Sequence, residues 1–102
     1  MAATTYQPEY QTLPVISTGH LKQPTAQLLS RSMPDCQMVD EVIAAPYPHG
    51  LFLHLPVDGE PTEFEDLEEI RGWLDSQLHS NGWLRLDSDG PYIAGLTTYE
   101  WA

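Results

Sequence analysis

The stretch TEFEDLEEIRGWLDSQLHS, residues 62–80, decides the fold because it carries the clearest helical pattern in the chain. Thr62 is followed three residues later by Glu65, the spacing of a capping box at a helix start. Apolar side chains recur at intervals of three and four residues and form one stripe: Phe64, Leu67, Ile70, Leu74 and Leu78. Asn81-Gly82 is a typical helix stop. We therefore predict an amphipathic helix over about residues 63–80, with its stripe in a core.

Strand patterns lie on both sides of this helix. Residues 51–55 alternate, with leucines at the odd positions on one side and Phe52 and His54 on the other. Residues 83–87 alternate in the same way after the helix, and a turn at Ser88-Asp89-Gly90 follows them. Residues 92–96 then resemble a return strand. We expect both alternating strands to bury one face.

The first half of the chain adds two strands and a helix. Residues 13–17 and 39–45 have strand composition, and between them a helix is predicted from Pro24 to Met33, before Pro34. The order β-α-β-β-α-β-β predicts an α+β fold: two helices on one face of a mainly antiparallel sheet of four or five strands. A ferredoxin-like split pattern is one way to connect them. We expect residues 1–9 to form a flexible arm and residues 10–102 a single domain.

Charge limits the possible partners. The chain has 102 residues, with 15 acidic and 4 basic side chains and a formal charge of -11. Such a surface repels nucleic acid and anionic membranes and attracts basic protein surfaces. The 41 % hydrophobic content is enough for a core, so the acidity is not that of a disordered tail. A single cysteine, Cys36, and the lack of a signal pattern or long apolar run favour a cytoplasmic protein.

Seven acids fall within the twelve residues from Asp58 to Glu69. They are Asp58, Glu60, Glu63, Glu65, Asp66, Glu68 and Glu69. Those in the first helical turn compensate the helix dipole, but the later ones and Asp75 gain little from it and repel each other. We predict that these acids and Asp75 face outward as one continuous negative surface, with Trp73 as an apolar anchor for a basic partner. A face that only keeps the protein soluble, and core-edge packing of Trp73, remain alternatives.

Metal and enzyme chemistry find little support in the sequence. His49 and His54 lack a cysteine partner, so we predict no metal site and no cofactor. A hydrolytic triad can be written from His20, Ser17 or Thr18, and Asp87 or Asp89, but no segment resembles a nucleophile elbow. No glycine-rich phosphate loop is present. Residues 87–90 fit a hairpin turn better than a calcium loop, since the distal glutamate is missing. We predict a non-enzymatic protein.

Two stretches carry a resemblance to a known family. ISTGHL at residues 16–21, and WLRLDSDGP at residues 83–91 with YEW at residues 99–101, resemble a family of small bacterial proteins of unknown function, the domain-of-unknown-function 5983 type. The resemblance covers roughly residues 13–101. Members are often carried on plasmids and other mobile elements. The resemblance implies an accessory protein in a bacterial cytoplasm and transfers no activity.

Together these observations favour a non-enzymatic acidic protein that occupies the basic, nucleic-acid-binding surface of a host defence complex. An anti-CRISPR or anti-restriction protein works in this way when its carboxylates replace phosphates, which dominate nucleic-acid affinity. We expect charge reversal of Glu65, Glu68 and Glu69 together to abolish binding and leave the fold intact. We expect no direct binding to nucleic acid or membranes.

Two alternatives remain from the sequence. The first is a structural or regulatory module that forms a homodimer through a sheet edge or the Trp101 end, with its acidity serving only solubility. The second is a small hydrolase, which requires His20 or His54 within hydrogen-bond reach of a carboxylate in a closed pocket.

Overall fold

The computed structural model describes residues 8, 13–31, 35–39, 41–56, 63–77 and 81–101. Within these ranges the chain forms five strands, two α-helices and one 3-10 turn. In chain order they are β1 (Val15–Ser17), the 3-10 turn (Thr18–His20), α1 (Gln23–Leu29), β2 (Gln37–Val39), β3 (Val42–Tyr47), β4 (Gly50–His54), α2 (Glu65–Asp75) and β5 (Trp83–Asp87). The predicted α+β class is confirmed.

The strands form one mixed sheet in the order β1-β5-β4-β3-β2. Three neighbouring pairs are antiparallel, and β1 pairs with β5 in parallel, with Ile16 opposite Leu86. The observed order of elements is β-α-β-β-β-α-β. It differs from the predicted order because residues 37–39 form a separate edge strand and residues 92–96 form none.

A single hydrophobic core joins both helices to alternate residues of the strands. The strands contribute Leu51, Leu53, Leu84 and Leu86, and the helices contribute Ala26, Leu29, Leu67, Ile70 and Leu74. The predicted stripe of α2 is confirmed at Leu67, Ile70 and Leu74, and Leu78 lies outside the described residues. Full burial of one such side chain stabilises the fold by about 1.5–3 kcal/mol.

Helix α2 is shorter than predicted. Its N-cap is Phe64, which makes no side-chain capping bond, so Glu65 is the first helical residue and not the third. The predicted capping partner Thr62 lies outside the described residues. The helix ends at Asp75, and Gly82, at a φ of 86°, instead begins the approach to β5.

The predicted return strand over residues 92–96 is wrong. This segment turns, with the Leu96 N–H donating to the Ile93 carbonyl at 3.2 Å. Gly95 has a φ of 94°, a conformation that favours glycine and does not belong to a strand. Backbone groups in and next to this segment bond instead to side chains, with the Ile93 N–H donating to His20 and the Thr97 N–H to Glu69.

Candidate binding site

Asp66 does not lie on the surface where the sequence pattern placed it. Its side chain is buried, at 1 % exposure, and Oδ2 accepts the backbone N–H of Lys22 at 2.8 Å. Lys22 is the N-cap residue of α1, so the carboxylate joins the two helices. The prediction that Asp66 faces outward is wrong because it lies one turn before Ile70 and two before Leu74, on the buried stripe.

Three further acids of α2 have partners in the same chain, Glu65 at the surface and Glu68 and Glu69 at partly buried positions. Glu65 Oε2 pairs with Lys22 Nζ at 3.2 Å, and this hydrogen bond raises the pKa of Lys22. Glu68 pairs with Arg71, whose guanidinium also donates to the Pro56 carbonyl at 2.9 Å. The Glu69 carboxylate accepts the backbone N–H and the hydroxyl of Thr97. With Asp66, these contacts contradict the predicted single, unneutralised negative surface.

The other proposed contact residues have different surroundings. Glu63 and Asp75 are exposed at the two ends of α2. Trp73 is half-buried and packs against the core cluster, as the core-edge alternative expected. Asp58 and Glu60 lie outside the described residues.

Residues 91–101 wrap around the start of the domain as a C-terminal clasp on residues 17–21. Main-chain hydrogen bonds join Ser17 N–H to the Pro91 carbonyl at 2.9 Å and Tyr99 N–H to the Gly19 carbonyl at 2.8 Å. The Trp101 indole Nε1 donates to the Leu21 carbonyl at 2.9 Å. The clasp therefore fixes the chain's last aromatic residues beside the 3-10 turn.

His20 is the buried centre of this clasp, at 2 % exposure. Its Nε2 accepts the Ile93 N–H at 2.9 Å, and its Nδ1 lies 2.9 Å from the Thr97 carbonyl. Because the Ile93 N–H can only donate, Nε2 is the acceptor and carries no proton. The ring proton is therefore on Nδ1, which donates it to the Thr97 carbonyl. Both ring nitrogens are thus bonded to backbone, and not to the carboxylate that the hydrolase alternative requires. His54 instead packs on the Trp83 ring, with centroids 4.9 Å apart.

Two adjoining clefts open beside the clasp. The first has a volume of about 350 Å³ and is mostly apolar; it is lined by Thr18, Ala26, Gln27, Ser30, Tyr47, Pro48, His49, Gly50, Leu51, Ser88 and Trp101. The second, about 580 Å³, is lined by Ser17, Thr18, Gly19, Ser88, Tyr92, Thr98, Tyr99, Glu100 and Trp101. The clefts share Thr18, Ser88 and Trp101, so they are halves of one groove, named here the Trp101 groove. Each half is within the size range of ligand pockets.

The electrostatics of the Trp101 groove favour a cation. Among the described lining residues Glu100 is the only carboxylate, no Lys or Arg is present, and His49 is the one titratable base. Asp87, next to the shared Ser88, accepts the Tyr47 hydroxyl at 2.6 Å. That hydrogen bond and one from the Asp89 N–H lower the pKa of Asp87, while burial raises the pKa of Tyr47 to about 12. Asp87 is therefore a carboxylate and Tyr47 a neutral phenol at neutral pH.

The described residues contain neither a metal-ligating cluster nor a membrane-spanning helix. No group of three or more His, Cys, Asp and Glu side chains there could hold a metal ion. None of the helices in those ranges has both the length and the apolar content to cross a bilayer.

The fold and the clasp define a small α+β domain in which three separated sequence stretches meet. These are the stretches that carry the family resemblance, residues 16–21, 83–91 and 99–101. The family model described as "Family of unknown function (DUF5983) C-terminal domain" matches residues 13–101, and the chain belongs to this family. No curated protein and no solved structure matches the chain.

The Trp101 groove was not predicted from the sequence. Its walls come from the 3-10 turn, α1, the β3–β4 turn, the residues after β5 and the clasp. No local spacing connects segments so far apart in the chain. The one available signal was the closing Tyr99-Glu100-Trp101, which combines two aromatic residues with an acid.

Proposed function

We propose that this chain is a non-enzymatic binding protein whose partner is a basic surface on another protein. The observation that carries the proposal is the placement of its four basic side chains, all of which lie in the described ranges. Arg71 is 8 % exposed and pairs with Glu68, Arg85 is half-buried in the sheet, Lys22 pairs with Glu65 at the surface, and Arg31 is exposed. Three of the four basic side chains are thus paired or partly enclosed, while the chain carries a charge of -11.

The partner class that fits this charge is a nucleic-acid-binding protein. Its Lys and Arg side chains are already arranged to receive anionic groups, and carboxylates can compete for them. We propose a defence complex of a bacterial host as the specific target, in line with the mobile-element context that the resemblance implies. Of the acids proposed from sequence, Glu63, Glu65 and Asp75 are exposed in the described part, with Glu65 paired to Lys22, and Asp58 and Glu60 are the further candidates.

A displacement assay tests this function. A purified CRISPR effector or restriction enzyme is loaded with a fluorescent DNA duplex, and the chain is titrated in at several salt concentrations. We expect displacement of the duplex, with an affinity that falls steeply as salt rises because ion contacts are screened. A panel of such proteins whose DNA is never displaced, even at low salt, contradicts the proposal.

Two matched charge reversals serve as controls. Glu63→Lys with Asp75→Lys changes the charge at both ends of α2, whereas Glu41→Lys with Asp89→Lys makes the same change at other exposed positions. We expect the first pair to weaken displacement at least about tenfold and the second to have a smaller effect. Equal losses in both variants would indicate a non-specific charge effect in place of a defined contact surface.

Self-association is the second candidate function, and the exposure of Trp101, at 43 %, favours it. A homodimer formed through this end must bring two chains of charge -11 together. We therefore expect any such dimer to strengthen as salt rises, opposite to binding of a basic partner. Sedimentation equilibrium at low and high salt separates the two candidates.

A further inference from the structure

We propose that the Trp101 groove binds an extended peptide segment of the partner protein, in which a bulky apolar side chain stands next to a Lys or Arg. This inference rests on the proposed function, since it names the segment through which a basic partner makes contact. It adds to the exposed acids near α2 a second contact of a different kind, a groove with an apolar wall and a single acid.

The apolar half of the groove fits the bulky side chain. Pro48 is exposed there, Tyr47 and Trp101 supply aromatic rings, and the buried Ala26 and Leu51 lie beneath them. At about 350 Å³ the half-groove is at the lower end of the volumes that hold small ligands, which matches one large side chain with its backbone. Burial of aromatic or aliphatic surface in such a pocket is the typical source of affinity at an interface.

The polar half fits a cation and the peptide backbone. Glu100 is exposed and lines this half, together with the hydroxyl-bearing residues Thr18 and Thr98. Hydroxyl groups can donate to or accept from main-chain groups, and the carboxylate can pair with a Lys or Arg. The described part of either half offers an anionic ligand no Lys or Arg, whereas Glu100 offers a cationic one a carboxylate.

Trp101 joins the two halves and is fixed in place before any ligand arrives. Its Nε1 donates to the Leu21 carbonyl at 2.9 Å, so the indole N–H is already used. What remains available at 43 % exposure is ring surface, which can contact an apolar side chain on one side and a cationic group on the other. A fixed aromatic residue loses little side-chain entropy on binding, which favours affinity.

Short fluorescent peptides test the inference directly. The first carries tryptophan followed by two lysines, the second tryptophan followed by two glutamates, and the third serine followed by two lysines. We expect the first to bind at least about tenfold more tightly than the others in fluorescence polarisation, since only it satisfies both halves. Its binding should shift the NMR signals of the Trp101 indole N–H and of the Thr18 and Ser88 amides. Equal binding of the first two peptides, or shifts confined to other residues, overturns the inference.

Two variants locate the contact without disturbing the clasp. Gln27 is exposed on α1 and lines the apolar half, so Gln27→Trp should fill it, and Glu100→Lys reverses the charge of the polar half. Each should weaken binding of the first peptide at least about tenfold. Glu41→Lys is the matched control for charge, because Glu41 is exposed and lines neither half of the groove, and the affinity of this variant for the first peptide should stay within about twofold of that of the unchanged protein. Thermal unfolding of each variant confirms that the domain is folded.

The same variants in the duplex-displacement assay separate the two proposals. If Gln27→Trp and Glu100→Lys abolish displacement, the groove is the contact of the basic partner. If displacement occurs and is unchanged in both variants, the groove inference is wrong while the proposed function stands. If no duplex is displaced but the first peptide binds the groove selectively, the proposed function is wrong and peptide recognition by the groove stands.

Discussion

At the scale of single residues, the hydrogen bond between Tyr47 and Asp87 makes stability depend on pH. The Tyr47 hydroxyl lowers the pKa of Asp87, so the folded state favours the carboxylate more than the unfolded state does. This contribution is present above the ordinary pKa of an aspartate and is lost as pH falls through the lowered value. At alkaline pH the raised pKa of Tyr47 gives a contribution that is lost as pH rises through about 12.

Tyr47→Phe tests this pair. We expect the variant to be less stable than the unchanged protein at pH 7, with the difference narrowing as the pH is lowered below the Asp87 pKa. Urea unfolding at neutral and acidic pH measures the difference, and the carboxyl carbon shift of Asp87 should titrate at a higher pH in the variant. Tyr92→Phe is the control, because Tyr92 is 67 % exposed. If the loss of unfolding free energy in Tyr47→Phe is the same at neutral and acidic pH, the expected link between stability and the protonation of Asp87 is contradicted.

His20 is the second residue with a measurable structural role. His20→Phe leaves the Ile93 N–H and the Thr97 carbonyl without the partners they have in the clasp. Because an unsatisfied buried group costs about 1–3 kcal/mol, we expect the variant to lose about 2 kcal/mol or more of unfolding free energy. His20→Asn, which can keep the bond to Thr97, should lose less. Hydrogen exchange at the Ile93 amide should accelerate in both variants, and unchanged exchange would show that the clasp does not depend on this ring.

Asp66 shows what the sequence could reveal at this scale. Its spacing to Ile70 and Leu74 predicts the buried stripe, but its position within a run of acids suggested an outward direction. The spacing was the better guide, because helix geometry fixes which side chains share a face, whatever their charge. The backbone N–H of Lys22, which receives the carboxylate, lies 44 residues earlier in the chain, so no local pattern could have identified it.

At the scale of elements, two glycines give opposite predictions. A Cβ at Gly72, on the exposed side of α2, would meet nothing within 4 Å, so Gly72→Ala should stabilise the helix by about 0.5–1 kcal/mol. A Cβ at Gly50, at the start of β4, would lie 1.8 Å from the Leu86 carbonyl oxygen of β5. Gly50→Ala must therefore separate two paired strands and should unfold the domain or lower its melting temperature sharply. Thermal unfolding of both variants checks this, and a harmless Gly50→Ala would contradict the β4–β5 pairing.

The acids of α2 give the second prediction at this scale. Glu69→Ala removes both hydrogen bonds from Thr97 and should cost about 1 kcal/mol, with faster exchange at the Thr97 amide. Glu63→Ala, at an exposed position, should change neither quantity. For the same reason, reversing Glu65, Glu68 and Glu69 together should destabilise the fold, in contrast to the expectation from sequence. Equal stability of the triple variant would show that these contacts contribute little.

The elements that the sequence predicted well are those with regular burial. Strand β5 begins and ends as predicted, because Leu84 and Leu86 alternate with partly exposed neighbours. The segment after it was assigned to a strand on the strength of Tyr92 and Ile93, whose composition is typical of strands. Its backbone instead bonds to a buried histidine 73 residues away, and composition carries no information about such a partner.

At the scale of the whole molecule, closure depends on contacts between the two ends of the domain. Strand β1 pairs in parallel with β5, and the clasp then passes over the turn that follows β1. The Trp101 groove exists only once both are in place, since its walls come from both ends of the chain. That is the physical reason why the candidate site could not be predicted from sequence although the fold class could.

The surplus of negative charge should make the stability of the whole domain depend on salt. Fifteen acids against four bases repel each other in the folded state, and ions screen this repulsion over a Debye length of about 10 Å at 0.1 M. Screening also weakens two ion pairs, Lys22 with Glu65 and Arg71 with Glu68. We expect the attraction lost in these two pairs to be smaller than the repulsion relieved at a net charge of -11. We therefore expect the melting temperature to rise by several degrees between low and moderate sodium chloride.

A variant with fewer charges shows whether repulsion is the cause. Glu63→Gln with Asp75→Asn removes two exposed negative charges and changes the net charge from -11 to -9. Its melting temperature in low salt should be higher than that of the unchanged protein, and its rise with salt should be smaller, because less repulsion remains to be screened. A melting temperature that falls with salt in both proteins would mean that the internal ion pairs outweigh the repulsion. The acidic surface would then cost the fold nothing, and its energetic cost could not be used to argue that it serves a partner.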